Sequence, residues 1–323
     1  MTRAGQVLPQ REPTRVVFFG SGAFAIPILE ALVGRPDVRV VAVVSTPDRP
    51  AGRSGALRPT PVSARARDIG LALLQPSRLR DPEAIAAIAA LRADLGVLAD
   101  YGRIVPPEIL RLPPLGILNA HPSLLPRHRG ATPVAATILE GDPQAGVSLM
   151  VMDEGLDTGP VLASRSWPLA SDATAPALEA EAARVGADLL TEVLPDWIAG
   201  RRRATPQVED AATLTRPLTR DDGRLDPSRP ARELERMVRA LRPWPRTFID
   251  LDGSRLIVLA ASLASSRSTD RPGQIVADGR GLALATVDGR LCLDEVQPPG
   301  GRPMSGEAFR RGRGRSLVAG ENA

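Results

Sequence analysis

Asn119 and His121 stand two residues apart in the run Asn119-Ala120-His121-Pro122-Ser123-Leu124-Leu125-Pro126-Arg127-His128-Arg129-Gly130. In extended chain, side chains at i and i+2 point the same way, so an amide donor and an imidazole share one side. That pairing suits chemistry at a carbonyl: the amide stabilises a developing oxyanion, and the imidazole moves a proton or stabilises charge. A carboxylate follows at Asp157, in Gly155-Leu156-Asp157-Thr158-Gly159, the loop after the next strand run. Beside the imidazole it would fix the ring's orientation and favour its charged form. Singly, each residue reads as structural, a His near a strand end or an Asp in a turn. Together, on adjacent strand ends, the three read as one site.

A second pattern, Gly20-Ser21-Gly22-Ala23-Phe24-Ala25, follows an apolar run and fits the dinucleotide fingerprint G-x-G-x-x-G/A. The fingerprint also needs an acid at the end of the second strand to hold a ribose. That strand ends at Ser45-Thr46-Pro47, and Asp48 lies beyond a proline. The glycines are therefore expected to make only a tight strand-to-helix turn.

Composition removes other chemistries. The 323 residues include 41 Arg and no Lys, which excludes a Schiff-base lysine and a phosphate loop ending in Gly-Lys-Ser/Thr. The two histidines, His121 and His128, and the single Cys292 exclude a structural zinc site or a disulfide framework within one chain. Cys292 alternates with Leu291 and Leu293 and reads as a packed thiol. His128 reads as a substrate contact or a solvated loop residue. The net charge of +4 is unevenly placed: residues 1–215 hold 22 Arg against 23 acids, residues 216–323 hold 19 Arg against 14. A basic C-terminal part suits a phosphate-bearing partner such as RNA, although Arg-rich composition alone can also produce it. The polar start shows no targeting segment, and no run of about 20 apolar residues exists to span a membrane. A cytoplasmic protein is expected.

The elements that must position the site alternate. Strand runs fall at 15–19, 38–45, 71–74, 95–99, 116–119 and 146–152, with helical spacing at 24–33, 61–69, 82–91, 104–110, 131–140 and 175–200. This alternation predicts an α/β fold, a Rossmann-like, doubly wound, mostly parallel sheet. Asn119 then lies at the carboxyl end of a parallel strand, where open α/β sheets bind ligands. The texture changes near residue 200. A polar stretch at 204–219 reads as a linker, 231–241 as an amphipathic helix, and five later strand runs, with Asp-Gly turns at 252–253 and 288–289, as a small antiparallel barrel. The expected organisation is a polar extension at 1–14, a catalytic domain at 15–203, the linker at 204–219 and a β-barrel domain at 220–323.

Asn-x-His-x-Ser-Leu-Leu-Pro-x-x-Arg-Gly followed by Gly-Leu-Asp-Thr-Gly resembles the 10-formyltetrahydrofolate-dependent formyltransferase family. Three further segments narrow the resemblance to the members that act on methionyl-tRNA: Pro47-Asp48-Arg49-Pro50-Ala51-Gly52-Arg53, Arg242-Pro243-Trp244-Pro245, and Gln297-Pro298-Pro299-Gly300 with Pro303-Met304-Ser305. The likeness runs from about residue 15 to 318. It implies Asn119, His121 and Asp157 as the catalytic triad, Ser123, Leu124, Leu125 and Pro126 as the loop lining the folate pocket, and Arg53 as the loop arginine that meets the tRNA acceptor end. It further implies an OB-like C-terminal barrel that touches tRNA backbone. The implied reaction is formyl transfer from 10-formyltetrahydrofolate to the α-amine of initiator methionyl-tRNA, with no metal and no membrane partner, by a monomer.

Two departures stand out. Ser54-Gly55-Ala56 replaces the family's Gly-Lys-Lys, so two positive charges are lost, with Arg58 nearby as a substitute for one. Asp100 stands where the family has Ala. The rival readings are a 10-formyltetrahydrofolate hydrolase, disfavoured by Asn119; a sugar-nucleotide or small-amine N-formyltransferase, disfavoured by the full-length C-terminal likeness; and a non-catalytic RNA-binding protein, which would leave the triad idle.

Overall fold

The computed structural model describes residues 12–51, 56–251, 253–267, 270–279 and 281–314. Arg53 and most of the extension expected at 1–14 lie outside these residues. In chain order the elements are β1 (Thr14–Gly20), α1 (Ala25–Val33), β2 (Val38–Val44), α2 (Pro61–Asp68), β3 (Leu73–Leu74), α3 (Pro82–Ala90), β4 (Leu95–Ala99), α4 (Pro107–Leu110), β5 (Ile117–His121), α5 (Pro133–Glu140), β6 (Gln144–Val151), β7 (Val161–Pro168) and α6 (Ala175–Ile198). Then come α7 (Ala231–Ala240), β8 (Thr247–Leu251), β9 (Ser254–Ala264), β10 (Ile275–Asp278), β11 (Gly281–Ala285), β12 (Arg290–Gln297) and β13 (Met304–Ser305). A short hairpin pairs Arg49–Ala51 with Ala56–Arg58.

The chain divides into two compact units. The first comprises residues up to Arg129 with Gly146–Ser166 and Ala180–Thr213; the second comprises Gly130–Ala145, Trp167–Glu179 and Leu214 onward. The first unit holds a seven-stranded sheet in the order β7-β6-β5-β4-β1-β2-β3. The pairs β1–β2, β1–β4, β2–β3 and β4–β5 are parallel. The expected mostly parallel α/β sheet is therefore present. Val16 to Phe19, Val43, Val44 and all of β4 and β5 are buried, as strands covered on both faces require.

Two features differ from expectation. β6 runs antiparallel to β5, with Leu118 opposite Val151 and His121 opposite Ser148. Hydrophobic periodicity carries no strand direction, so alternation alone read it as another parallel strand. β7 was not expected at all. It is the edge strand, its burial alternates, and Ser164-Arg165-Ser166 interrupts its apolar pattern.

The second unit carries an antiparallel sheet in the order β8-β9-β12-β11-β10, with β13 paired to β12. Ala285 pairs with Arg290, so the Asp-Gly turn expected at 288–289 closes a hairpin; Leu251 pairs with Ser254, while Asp252 of the other expected turn lies outside the described residues. A further antiparallel pairing sets Asp278 opposite Gly281. α7 lays Leu234, Met237 and Val238 into a core with Leu256, Val258, Leu284, Leu291 and Val296. No helix of the described residues is long and apolar enough to cross a membrane.

Candidate active site

The glycine turn after β1 is closed to a phosphate. Backbone N–H groups of Ser21 and Gly22 donate to the carbonyl of Asp100 at 2.9 and 3.1 Å. A Cβ on Gly22 would lie 1.6 Å from the Asp100 carboxylate, so the space at the second glycine is taken by an acid. Asp100 itself has φ +43°, a left-handed conformation that aspartate tolerates better than most residues. The acid that stood out in the sequence thus fills the glycine turn, and a pyrophosphate would meet both its charge and N–H groups already in use. Ser45 and Thr46, at the end of β2, are also spoken for. Ser45 Oγ is 2.8 Å from Thr60 Oγ1, and Thr46 N donates to Ser21 Oγ at 3.1 Å.

The structure brings Asn119, His121 and Asp157 together. Asn119 and His121 lie on β5, flanked by Leu98 of β4 and by Met150 and Ser148 of β6. Both are buried, 6% and 5% exposed, so charges here are poorly screened. Asp157 bridges them. The Asn119 amide donates to Asp157 Oδ1 at 3.3 Å, and Asp157 Oδ2 lies 3.7 Å from His121 Nδ1. The second distance exceeds hydrogen-bond length and is an electrostatic contact. His121 Nε2 is 2.9 Å from the carbonyl oxygen of His128. A carbonyl only accepts, so Nε2 carries a proton, and Nδ1, facing Asp157, is the nitrogen left to gain or lose one.

Because β6 is antiparallel, the chain leaves it at the end of the sheet away from His121, and Asp157 is not at the end of a neighbouring parallel strand. The loop at 152–160 brings it back. Asp153 Oδ1 accepts from Gly155 N at 3.1 Å and from Thr158 Oγ1 at 2.7 Å, which curls the loop on itself. Asp157 takes φ +54° at its tip.

His128, expected as a substrate contact or a solvated residue, is 3% exposed, so the solvated reading is wrong. Its carbonyl meets His121, and its N–H donates to Thr213 Oγ1 at 2.8 Å. Ser123 is buried and its hydroxyl donates to the carbonyl of Arg127 at 2.7 Å. Leu124 lies over Gly146, and the Leu125–Pro126 peptide is cis. Ser148, wholly buried, pins this turn. Its one proton goes to the carbonyl of Ser123 at 2.8 Å, leaving its lone pairs for Leu125 N–H at 3.1 Å and the Ser164 hydroxyl at 2.9 Å. Ser148→Ala leaves a buried N–H and a buried carbonyl without this partner. Thermal and denaturant unfolding should show the first unit destabilised by about 1–3 kcal/mol.

Sequence reasoning missed the contribution of residues 205–213, which it read as linker. Thr205 forms a β-bridge with Val161, and the carbonyl of Thr213 accepts from Arg129 N at 2.9 Å. Arg129 is 2% exposed and gives both terminal nitrogens to Glu209 at 2.8 and 2.9 Å, which holds the Glu209 carboxyl below its ordinary range. The only signal in the sequence was the Gln207, Glu209 and Thr213 side chains themselves, polar residues with no periodicity. Cys292 is half-buried, and its thiol donates to Asp278 Oδ2 at 3.2 Å; burial pushes it up to about 11, so it stays protonated at neutral pH. Among the described residues no group of three or more His, Cys, Asp or Glu side chains is placed to hold a metal ion.

The profile of the formyl transferase family matches residues 14–194, and that of the formyl transferase C-terminal domain matches residues 217–314. The methionyl-tRNA formyltransferase of Roseiflexus sp. (strain RS-1) is 46% identical over 301 residues, 93% of each chain. That of Halorhodospira halophila is 46% identical over 308 residues, 95% of this chain and 98% of the relative. Among solved structures, an N-formyltransferase from Helicobacter canadensis in complex with folinic acid and dTDP-3-aminofucose superposes with a TM-score of 0.65 at 15% identity, covering 87% of this chain and 98% of that one. HypX from Aquifex aeolicus in complex with tetrahydrofolic acid gives 0.63 at 17% identity, over 95% of this chain and 48% of that one. These structural likenesses, at such low identity, speak for the fold.

Proposed function

The chain belongs to the methionyl-tRNA formyltransferase family, and we propose on that premise that it moves the formyl group of 10-formyltetrahydrofolate to the α-amine of initiator methionyl-tRNA. The observation that carries the reading is the convergence of an amide, an imidazole and a carboxylate at Asn119, His121 and Asp157. The amine attacks the formyl carbon, negative charge grows on the formyl oxygen, and the bond from that carbon to the folate nitrogen breaks. One proton leaves the amine and one reaches the folate nitrogen, so the exchange balances. The Asn119 amide, aimed by Asp157, donates to the oxygen as it charges. His121 Nδ1 carries the proton, and the Asp157 carboxylate steadies the imidazolium beside two buried strand residues.

The remaining assignments follow the same reading. The turn of Ser123, Leu124, Leu125 and Pro126 lines the folate pocket; Ser148 ties its backbone at Ser123 and Leu125, and the Ser123 hydroxyl is tied to the Arg127 carbonyl, so it offers a stiff wall. The catalytic domain is placed on residues 15–203 together with 205–213, which bond back to it, and an OB-like tRNA-binding domain on residues 220–323. Arg53 meets the acceptor end of the tRNA. The protein works in the cytoplasm as a monomer.

An acceptor assay tests this. Labelled 10-formyltetrahydrofolate is offered with charged initiator tRNA, free methionine, sugar-nucleotide amines or water alone. Label is expected on the charged tRNA and on no other acceptor. Label released only as formate would assign a hydrolase; label on a sugar amine would assign a different acceptor class; tRNA binding without turnover would leave a binding protein.

A further inference from the structure

We propose that Gln207 is a positioning residue for Asp157, acting as a clamp on the loop that carries the carboxylate and held in turn by the buried Arg129. The inference rests on the reading of Asp157 as a catalytic group. Gln207 Nε2 donates to two carbonyls of the loop, that of Asp157 at 2.8 Å and that of Gly159 at 2.7 Å. Both amide N–H groups are thereby used on the loop. The amide cannot turn over, because its Oε1 accepts from Arg129 Nε at 3.0 Å. A flipped amide would set N–H against guanidinium and oxygen against two carbonyls. Arg129 is fixed from its other side by the two bonds to Glu209. The series Glu209–Arg129–Gln207 lies wholly in the first unit and ends on the loop backbone.

Asp157 needs such a clamp. Its φ of +54° is a conformation that L side chains adopt at a cost and keep only where the surroundings impose it. The carboxylate's own contacts with Asn119 and His121, at 3.3 and 3.7 Å, are longer than the two bonds to the loop backbone. The backbone bonds therefore set where the carboxylate sits, and a displacement on the order of 1 Å at a reacting group is enough to cost about 10²-fold in rate. Gln207 touches neither Asn119 nor His121 through any of these bonds, so its effect on the reaction passes through Asp157.

The test measures kcat, KM for both substrates and the melting temperature of the full chain for Gln207→Ala, Gln207→Glu, Asp157→Asn and the double variant Gln207→Ala/Asp157→Asn. Gln207→Glu keeps the size and the arginine contact but has no N–H to give, so it answers the question if the alanine variant folds poorly. Either Gln207 variant is expected to lose about 10-fold or more in kcat, with both KM values within about threefold of wild type. In the Asp157→Asn background, removing Gln207 should change the residual rate by less than about twofold, because the group it positions is already gone. A kcat for Gln207→Glu within about twofold of wild type, or the same fractional loss in both backgrounds, overturns the clamp and leaves Gln207 as a packing residue. Full activity in Asp157→Asn alone overturns instead the catalytic reading of Asp157.

Discussion

Replacing His121 by Ala is expected to lower kcat for formyl transfer by about 10²–10³-fold while the sheet stays folded. The imidazole can take up and release a proton at Nδ1, which faces Asp157 across 3.7 Å. Its loss removes the imidazole that moves the proton and leaves the Asp157 carboxylate without its cationic partner. Asp157→Asn should cost a similar factor by a different route. The new amide can still accept from Asn119, but it carries no charge to set against an imidazolium. Rapid-mixing measurements of formyl transfer, paired with circular dichroism and melting curves, separate loss of chemistry from loss of fold. The alanine also removes the partner of the His128 carbonyl, so His121→Asn, which retains an amide donor in part of that space, is the companion variant. A folded variant at either position that transfers formyl within about threefold of the wild-type rate would falsify the role assigned to it.

Gly159→Ala is expected to be nearly as damaging, although residue 159 has no side chain to lose. A Cβ there would stand 1.8 Å from the carbonyl oxygen of Val151 and 3.3 Å from the backbone nitrogen of Asp153. Both obstacles are backbone, so no rotamer change relieves them, and the loop must shift by about the missing ångström or more. Asp157 lies two residues away on that loop, and Gly159 O is one of the two carbonyls that Gln207 holds. A shift of that size at the carboxylate predicts a loss of about 10²-fold in kcat/KM. Gly155→Ala is the matched control on the same loop. Its new methyl would meet Thr158 Oγ1 at 2.0 Å, a hydroxyl that can rotate away at the cost of its bond to Asp153. The control should lose far less activity, and equal activity in the two variants would show that the tightness of the turn at Gly159 does not govern the site.

What could be read from residue order alone was whatever follows from burial and local backbone preference. Val16 to Phe19 and Ala42 to Val44 are continuous apolar runs because their strands are covered there on both faces, and a continuous run needs no partner to be recognised. The Asp-Gly turn at 288–289 closed a hairpin because its backbone conformation is a local property. α7 declared its buried face through Leu234, Met237 and Val238 at helical spacing. Asn119 and His121 could be paired because two residues of strand suffice to put them on one side.

The rest needed the folded chain. Whether β6 ran with β5 or against it left no trace in its hydrophobic pattern, yet it decided that Asp157 returns on a loop and does not sit at a strand end. The edge strand β7 hid because half of it faces outward. Asp100 had no visible purpose until Gly22, 78 positions earlier, was found to leave room for its carboxylate. Gln207 and Thr213 passed for linker because their partners, Asp157 and His128, lie 50 and 85 positions away. Apolar burial repeats with the period of the element that carries it. A hydrogen bond between distant polar groups has no period, and its partner is named only when the backbone has brought the two ends together.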